Sequence, residues 1–226
     1  MHIIEIYKSI QGESSFTGLP CIFVRLAGCN LRCTWCDSEY TFSGGIKMSL
    51  EEVEAEVRKL APVKLLEITG GEPMLQEREL LPFMERLLAN DYTLLLETSG
   101  ERPLGKVPKA VHKIVDVKCP GSGEGGSFDL KNLEALTPSD EIKFVVADRA
   151  DYEFARDFAR KHGLEKLVGN VILSPAFRKD AGPARDSANC LVDPQEVVTW
   201  MLEDGWNARL GLQIHKYVWE PMRKGV

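Results

Sequence analysis

Residues 21–42 read CIFVRLAGCNLRCTWCDSEYTF. Cys21 to Ala27 form a β-rich apolar run, and the loop that follows, Gly28 to Phe42, carries Cys29, Cys33 and Cys36 as a CxxxCxxC triplet. Thiolates are soft ligands, and a compact triplet of them suits an iron-sulfur cluster. Structural zinc normally takes a fourth Cys or His close by, and none follows here. Three ligands on a cubane leave one iron open to chelate a small molecule and pass it an electron. The bland alternative is a loop of thiols, either reduced or binding zinc.

Outward from that loop, short apolar runs alternate with amphipathic stretches, the pattern of parallel βα units. Strands are expected at Cys21–Ala27, Leu65–Thr69, Thr93–Glu97, Lys113–Val117, Ile142–Val146, Val168–Leu173 and Arg209–Ile214. Ser49 and Glu52 make a capping box for a helix reaching about Leu60, and Leu80, Leu81, Met84, Leu87 and Leu88 give the next helix an apolar face before Asn90. Ala150–His162 and Pro194–Asp204 read as later helices. Six or seven such units fall short of a closed eight-stranded barrel, so the expected fold is α/β, an open or partial parallel β/α barrel. Active sites of such barrels sit at the C-terminal ends of the strands. The cysteine loop, the Gly-Gly-Glu-Pro run Gly70–Pro73, and Thr98, Lys118, Ser174 and His215 all follow strands and are expected on that rim. Gly121–Ser127, with four glycines in seven residues, reads as a mobile loop at the mouth.

The chain of 226 residues is expected to be one domain, 1–226, with its cluster loop at 28–42. Lys and Arg total 28 against 34 Asp and Glu, a net charge of -6, which argues against nucleic acid as the main partner and for a small-molecule substrate. Met1–Ile10 has no signal-peptide core and no stretch is long and apolar enough to span a membrane, so a soluble, cytoplasmic protein is expected. Three cysteines clustered without a secretion signal favour metal ligation in a reducing compartment. Cys21, Cys119 and Cys190 are scattered singly, as buried free thiols or as part of a second cluster.

The triplet followed by Gly70–Pro73 resembles the radical S-adenosylmethionine (SAM) superfamily, in which the unligated iron takes the amino and carboxylate groups of SAM. Ile3–Glu13 (IIEIYKSIQGE), Gly18–Gly28 (GLPCIFVRLAG), Cys36–Phe42 (CDSEYTF) and Gln213–Trp219 (QIHKYVW) together resemble the 7-carboxy-7-deazaguanine synthase family across almost the whole chain. That resemblance implies a partial barrel of radical SAM type holding a 4Fe-4S cluster, SAM and Mg2+. It also implies a pterin substrate, 6-carboxy-5,6,7,8-tetrahydropterin, whose C6 hydrogen is abstracted by a 5'-deoxyadenosyl radical. The ring then contracts with loss of ammonia, on the route to queuosine and related 7-deazapurines. A flavodoxin or ferredoxin donor and a homodimer are implied as well.

Site residues follow from the matched motifs. Cys29, Cys33 and Cys36 would hold the cluster, and Ser38 falls where the family places a hydroxyl on Mg2+, often a Thr. Trp35, Cys36, Asp37 and Gly71 match SAM-side positions. Lys118, Cys119 and Pro120, and Ser174, Pro175, Ala176 and Phe177, align approximately with strand-end segments that touch SAM in the family. Ile10, Gln11, Gly12 and Glu13 would frame the pterin ring, with Gln11 and Glu13 presenting acceptors and Gly12 allowing close approach. Thr69 and His215 match substrate contacts. Arg25, a charge inside an apolar strand, is the candidate partner of the substrate carboxylate, unless it faces solvent or pairs with a structural carboxylate. Shorter family members end near Pro221, whereas this chain runs on through Met222–Val226. Same-chemistry and different-chemistry rivals are an activase that installs a glycyl radical on a partner enzyme and a non-catalytic iron-sulfur or zinc protein.

Overall fold

A computed structural model describes residues 1–226. Its strands are β1 (His2–Ile10), β2 (Pro20–Leu26), β3 (Ile46–Lys47), β4 (Leu65–Gly70), β5 (Thr93–Thr98), β6 (His112–Asp116), β7 (Glu141–Val146), β8 (Asn170–Pro175) and β9 (Arg209–Leu210). Its helices are α1 (Leu50–Arg58), α2 (Glu77–Leu88), α3 (Arg149–His162), α4 (Leu164–Leu167), α5 (Pro194–Asp204) and α6 (His215–Val218). All strands form one sheet in the order β3-β1-β2-β4-β5-β6-β7-β8-β9. From β2 through β9 each neighbouring pair is parallel, while β1 runs antiparallel to both β2 and β3. With β3 and β9 as its two edges, the sheet is a barrel left incompletely closed. No helix is long and apolar enough to cross a membrane.

Each parallel strand has two chemically different faces. Ile22, Val24, Leu26, Leu66, Ile68, Leu94, Leu96, Val115, Ile142, Phe144, Val146, Val171 and Leu173 belong to the apolar core, packed with Val53, Val57, Leu80, Phe83, Met84, Leu87, Tyr152 and Ala155 of the helices. Burying each large side chain there contributes about 1.5–3 kcal/mol. The alternate residues, Arg25, Glu67, Thr69, Glu97, Asp116 and Lys143, point the other way and line a cavity. The helices meet their expected ends. Ser49 and Glu52 form the reciprocal capping box of α1, and Asp148 and Asp193 cap α3 and α5.

Three differences from the expected elements have physical causes. β1 lacks a clean alternation because most of its residues are half-exposed on both faces. β8 starts two residues later than expected, since the Val168 amide is spent on the Leu164 carbonyl at the end of α4. The last strand stops at Leu210 rather than Ile214: after Gly211 N–H donates to the Leu173 carbonyl, the chain turns and Ile214 N–H donates to the Gly12 carbonyl, tying the segment after β9 to the segment after β1.

Outside the cavity, Asp140 is fully buried and its carboxylate accepts from Lys113 N–H at 2.8 Å and Thr137 N–H at 2.7 Å, and meets Lys113 Nζ at 3.1 Å. Asp140→Ala would leave a buried ammonium uncompensated and is expected to destabilise the fold by about 3–5 kcal/mol. Urea denaturation measures this, and a loss below about 1 kcal/mol would show that the pair is dispensable.

Candidate functional site

The three thiols of the triplet are free, half-buried and face one cavity. Burial pushes the Cys33 thiol up to about 11, against the pull of the Lys118 ammonium, and raises Cys29 as well. Their loop is clamped from two sides. Gly28 N–H donates to the Thr41 carbonyl at 2.7 Å, and Thr34 donates through its N–H to the Ser122 carbonyl and through Oγ1 to the Gly121 carbonyl, both at 2.9 Å. The glycine-rich stretch expected to be a mobile loop therefore has a structural attachment. Pro120–Ser122 is a 3-10 turn, Gly121 N–H bonds Asp151 of α3, and the Glu124 carboxylate accepts from Arg32 N–H.

The Gly-Gly-Glu-Pro run sits against the same loop. A Cβ on Gly71 would lie 2.4 Å from the Gly28 carbonyl oxygen and 2.6 Å from Cys29 Cβ, so only glycine fits between the two segments. Glu72 is buried and saturated. It accepts from Met74 N–H and Thr98 Oγ1 on one oxygen, and from Ser99 N–H and Oγ on the other, which locks the turn after β4 to the end of β5.

The other carried-over residues divide into those that reach the cavity and those that do not. Ile10, Gln11, Gly12, Glu13, Arg25, Trp35, Asp37, Ser38, Thr69, Gly71, Lys118, Phe177 and His215 line it together with the three cysteines. Cys119, Ser174, Pro175 and Ala176 are buried elsewhere, and Pro120 is exposed, so these five do not line it. Ser38 Oγ stands 3.7 Å from Cys36 Sγ. Asp37 pairs with Lys216 at 2.6 Å, and Lys216 also lies over the Phe177 ring at 4.7 Å, which ties the cysteine loop to α6.

Gln11 differs from expectation. Its Oε1 accepts from the N–H groups of Glu13 and Ser14, and its Nε2 donates to Glu67 at 2.9 Å, so no free acceptor is left for a ligand and its work is to hold the turn. Gly12 makes room for a side chain of the protein itself, since a Cβ there would sit 2.2 Å from His215 Nδ1. Burial lowers the His215 pKa from its ordinary 6.5, against the pull of Glu13, keeping the imidazole neutral above that range.

Arg25 is neither solvent-facing nor unpaired. Its Nε donates to Glu5 at 2.8 Å and its Nη2 to the Tyr7 hydroxyl at 3.1 Å, while Tyr40 donates to the same Glu5 oxygen at 2.9 Å. Two of its five N–H donors are thus spent, and three remain. The tail Pro221–Val226 also lines the cavity here, with Lys224 Nζ 4.1 Å from the Tyr40 ring centre.

Sequence reading missed most of the floor. Glu13 and Glu97 share Lys143, at 2.8 and 2.5 Å; Gln213 donates to Glu13 at 3.0 Å, Thr69 to Glu97 at 3.2 Å, and Lys118 to Asp116 at 2.6 Å. Glu67, Glu97, Asp116, Lys143, Gln213 and Lys216 were all visible as polar residues in or beside apolar strands. The signal available for them is the one that marks Arg25, a charged or polar residue set against an apolar strand.

Residues 24–174 match the Radical SAM superfamily. The chain is 70% identical to the 7-carboxy-7-deazaguanine synthase of Koribacter versatilis (strain Ellin345), covering 100% of both, and 38% identical to that of Chlorobaculum tepidum, covering 100% of this chain and 97% of the relative. The crystal structure described as QueE from Escherichia coli superposes with a TM-score of 0.73 at 24% identity, over 93% of this chain and 92% of that one, a likeness of fold.

Burial, reinforced by the neighbouring Glu97 charge, pushes the Glu67 carboxyl from its ordinary 4.5 up to about 8. Across that window the folded state keeps a proton that the unfolded chain has released, so this group erodes stability as pH rises. Glu67→Gln is expected to flatten that fall, gaining on the parent protein between about pH 5 and about pH 8. Urea unfolding at both ends of the range measures it; parallel stability curves would refute it.

Proposed function

The chain belongs to the radical SAM superfamily and, within it, to the 7-carboxy-7-deazaguanine synthases, and we propose that it works as one through the cavity described above. The reaction is conversion of 6-carboxy-5,6,7,8-tetrahydropterin to 7-carboxy-7-deazaguanine with loss of ammonia, in queuosine and 7-deazapurine biosynthesis. What carries the assignment to this cavity is convergence: the three thiols and the residues matched to the pterin side open on one space.

The donor set suits the cofactors. Three free thiols on one cavity are available as soft ligands, and the Cβ-free space at Gly71 lets backbone approach a ligand beside Cys29. Cys29, Cys33 and Cys36 would hold the 4Fe-4S cluster, with Trp35, Asp37, Gly71, Lys118 and Phe177 around SAM. Cluster and SAM, when bound, supply the radical that takes the C6 hydrogen. The protein's own part is binding, orientation and exclusion of water. Arg25 offers its remaining N–H donors to the substrate carboxylate, and Glu13, Thr69 and His215 meet the ring. Ser38 Oγ, close to Cys36, is the proposed Mg2+ ligand, a hard oxygen suited to a hard ion. Family resemblance supports three further points: a flavodoxin or ferredoxin as electron donor, a homodimer, and a cytoplasmic location. The whole chain, 1–226, is proposed to act as one domain.

The test is anaerobic reconstitution with iron and sulfide, followed by SAM, reductant and the carboxytetrahydropterin, with the product identified by mass spectrometry. 5'-Deoxyadenosine formed only when a partner protein is added would point to the activase, and none under any of these conditions to a carrier. Cys33→Ala is expected to abolish both the iron content and turnover; a variant that keeps a SAM-competent cluster and forms product would refute the ligand assignment. Arg25→Ala is expected to raise the KM for the pterin roughly 10- to 100-fold, the worth of a charged hydrogen bond. Uncoupled SAM cleavage should change little, and an unchanged KM would remove the carboxylate role.

A further inference from the structure

Two lysines are buried between strands of this sheet, and their surroundings differ in a way that separates support from function. Lys113, 1% exposed, meets Asp140, whose carboxylate takes Lys113 N–H and Nζ together with Thr137 N–H and Oγ1. A carboxylate has about four lone-pair positions, so Asp140 is full, and the pair lies outside the cavity. Lys143, 3% exposed, faces the cavity and sits between two carboxylates from different elements, Glu13 after β1 and Glu97 on β5. Glu13 takes one further donor, from Gln213, and Glu97 one, from Thr69, so each keeps about half of its accepting capacity. Both carboxylates line the cavity, and neither has any other cation within ion-pair distance.

We propose that Lys143 is a positioning residue for the substrate: it holds Glu13 and Glu97 together as a pair of ionised acceptors that receive the N–H donors of the pterin's amino-pyrimidinone edge. The assignment rests on the pterin reading above. An edge carrying a ring N–H and an exocyclic amine presents donors, and two carboxylates are the matching acceptors. An analogue with oxygen in place of the exocyclic amine would set a carbonyl against a carboxylate and be rejected.

Lys143 is needed because of the charge around it. Facing the group are Glu97 from β5, Asp116 from β6 at 3.9 Å with its own partner Lys118, Glu67 from β4 held by Gln11, and Glu13 flanked by His215 and Lys216 from the C-terminal segment. Without the ammonium, Glu13 and Glu97 would stand as like charges in a half-buried site, and one would take a proton. A protonated carboxyl turns an acceptor into a donor that faces the substrate's donors. The pull of Lys143 holds the Glu13 carboxyl well below the ordinary carboxylate range against the desolvation of the site, so Glu13 stays ionised near neutrality in the parent protein.

The experiment uses the reconstituted enzyme with SAM and follows binding of 6-carboxypterin by its fluorescence, and of 6-carboxylumazine, the analogue with oxygen for the amine. In the parent protein, affinity for the pterin is expected to be flat from about pH 6 to about pH 8, with clear preference over the lumazine. Lys143→Met is expected to weaken pterin binding roughly 10- to 100-fold, to make it tighten as pH rises, and to shrink the preference; Lys143→Arg should restore a flat profile. A Lys143→Met protein that binds within about threefold of the parent, or that loses affinity equally at all pH values and for both ligands, overturns the proposal. Should Lys143→Met fail to fold, Glu97→Gln, which keeps the shape and removes one ionised acceptor, must still weaken the pterin about tenfold relative to the lumazine, and no change would overturn it. If the parent protein binds no 6-carboxypterin at all, the pterin reading fails first and takes this proposal with it, an outcome distinct from a parent that binds and a variant that binds equally.

Discussion

The structure depends on the pairing of buried charge inside an incompletely closed barrel. A parallel sheet covered on one face by helices presents the other to its lumen. Here that inner face carries Arg25, Glu67, Glu97, Asp116 and Lys143 from five strands that follow one another in the sheet. An isolated buried ion would cost far more than the few kcal/mol by which a domain of this kind is stable. The charged ones are therefore matched across a strand boundary or to a loop, Arg25 with Glu5, Asp116 with Lys118, and Lys143 with Glu13 and Glu97, while Glu67, whose carboxyl keeps its proton up to about pH 8, is held by the Gln11 amide. The same matching fixes the loop after β1 over the floor, since Gln11 and Glu13 are both anchored by it. Fold and site are in this sense one network.

The rim is built by a different device, backbone hydrogen bonds and close approach. The cysteine loop is long and has little regular structure of its own, so its position has to come from neighbours. Ser122 holds its backbone and Gly121 its Thr34 hydroxyl, the Gly28 N–H closes its base on the Thr41 carbonyl, and Gly71 packs against its root, while Glu72 anchors the turn that carries Gly71 to Thr98 and Ser99. A loop held at this many points can present three thiols in a set geometry at low entropic cost when a ligand arrives.

The parallel strands and the helices α1, α2, α3 and α5 are legible in the sequence because each has an apolar period broken by a cap or a turn, as at Ser49, Asp148 and Asp193. β1 is not, since an edge-side strand half-exposed on both faces leaves no period to read. Its loss from the reading had a cost: Glu5 and Tyr7, the partners of Arg25, lie on it. The lumen residues were hidden for another reason. Windows such as LLEIT and TLLLET read as apolar runs with an incidental charge, and only the placement of the strands side by side shows that the charges of Glu67 and Glu97 fall on one face. The triplet and the glycine pair were legible because their chemistry is carried by residue type and spacing within the chain.

The cavity is lined by charges of both signs: Glu13 and Glu97 about Lys143, and Arg25, with its partner Glu5, on the side of the tail that brings Lys224 to Tyr40. On the proposed assignment the substrate has the complementary polarity, a carboxylate on C6 and N–H donors on the far edge of the bicyclic ring. Arg25 and Thr69 face each other in register across β2 and β4, and Thr69 donates to Glu97 on β5. The strands thus set the proposed carboxylate partner and one of the proposed edge acceptors side by side on one row, and an orientation that reversed the substrate would set its carboxylate against the carboxylates of Glu13 and Glu97.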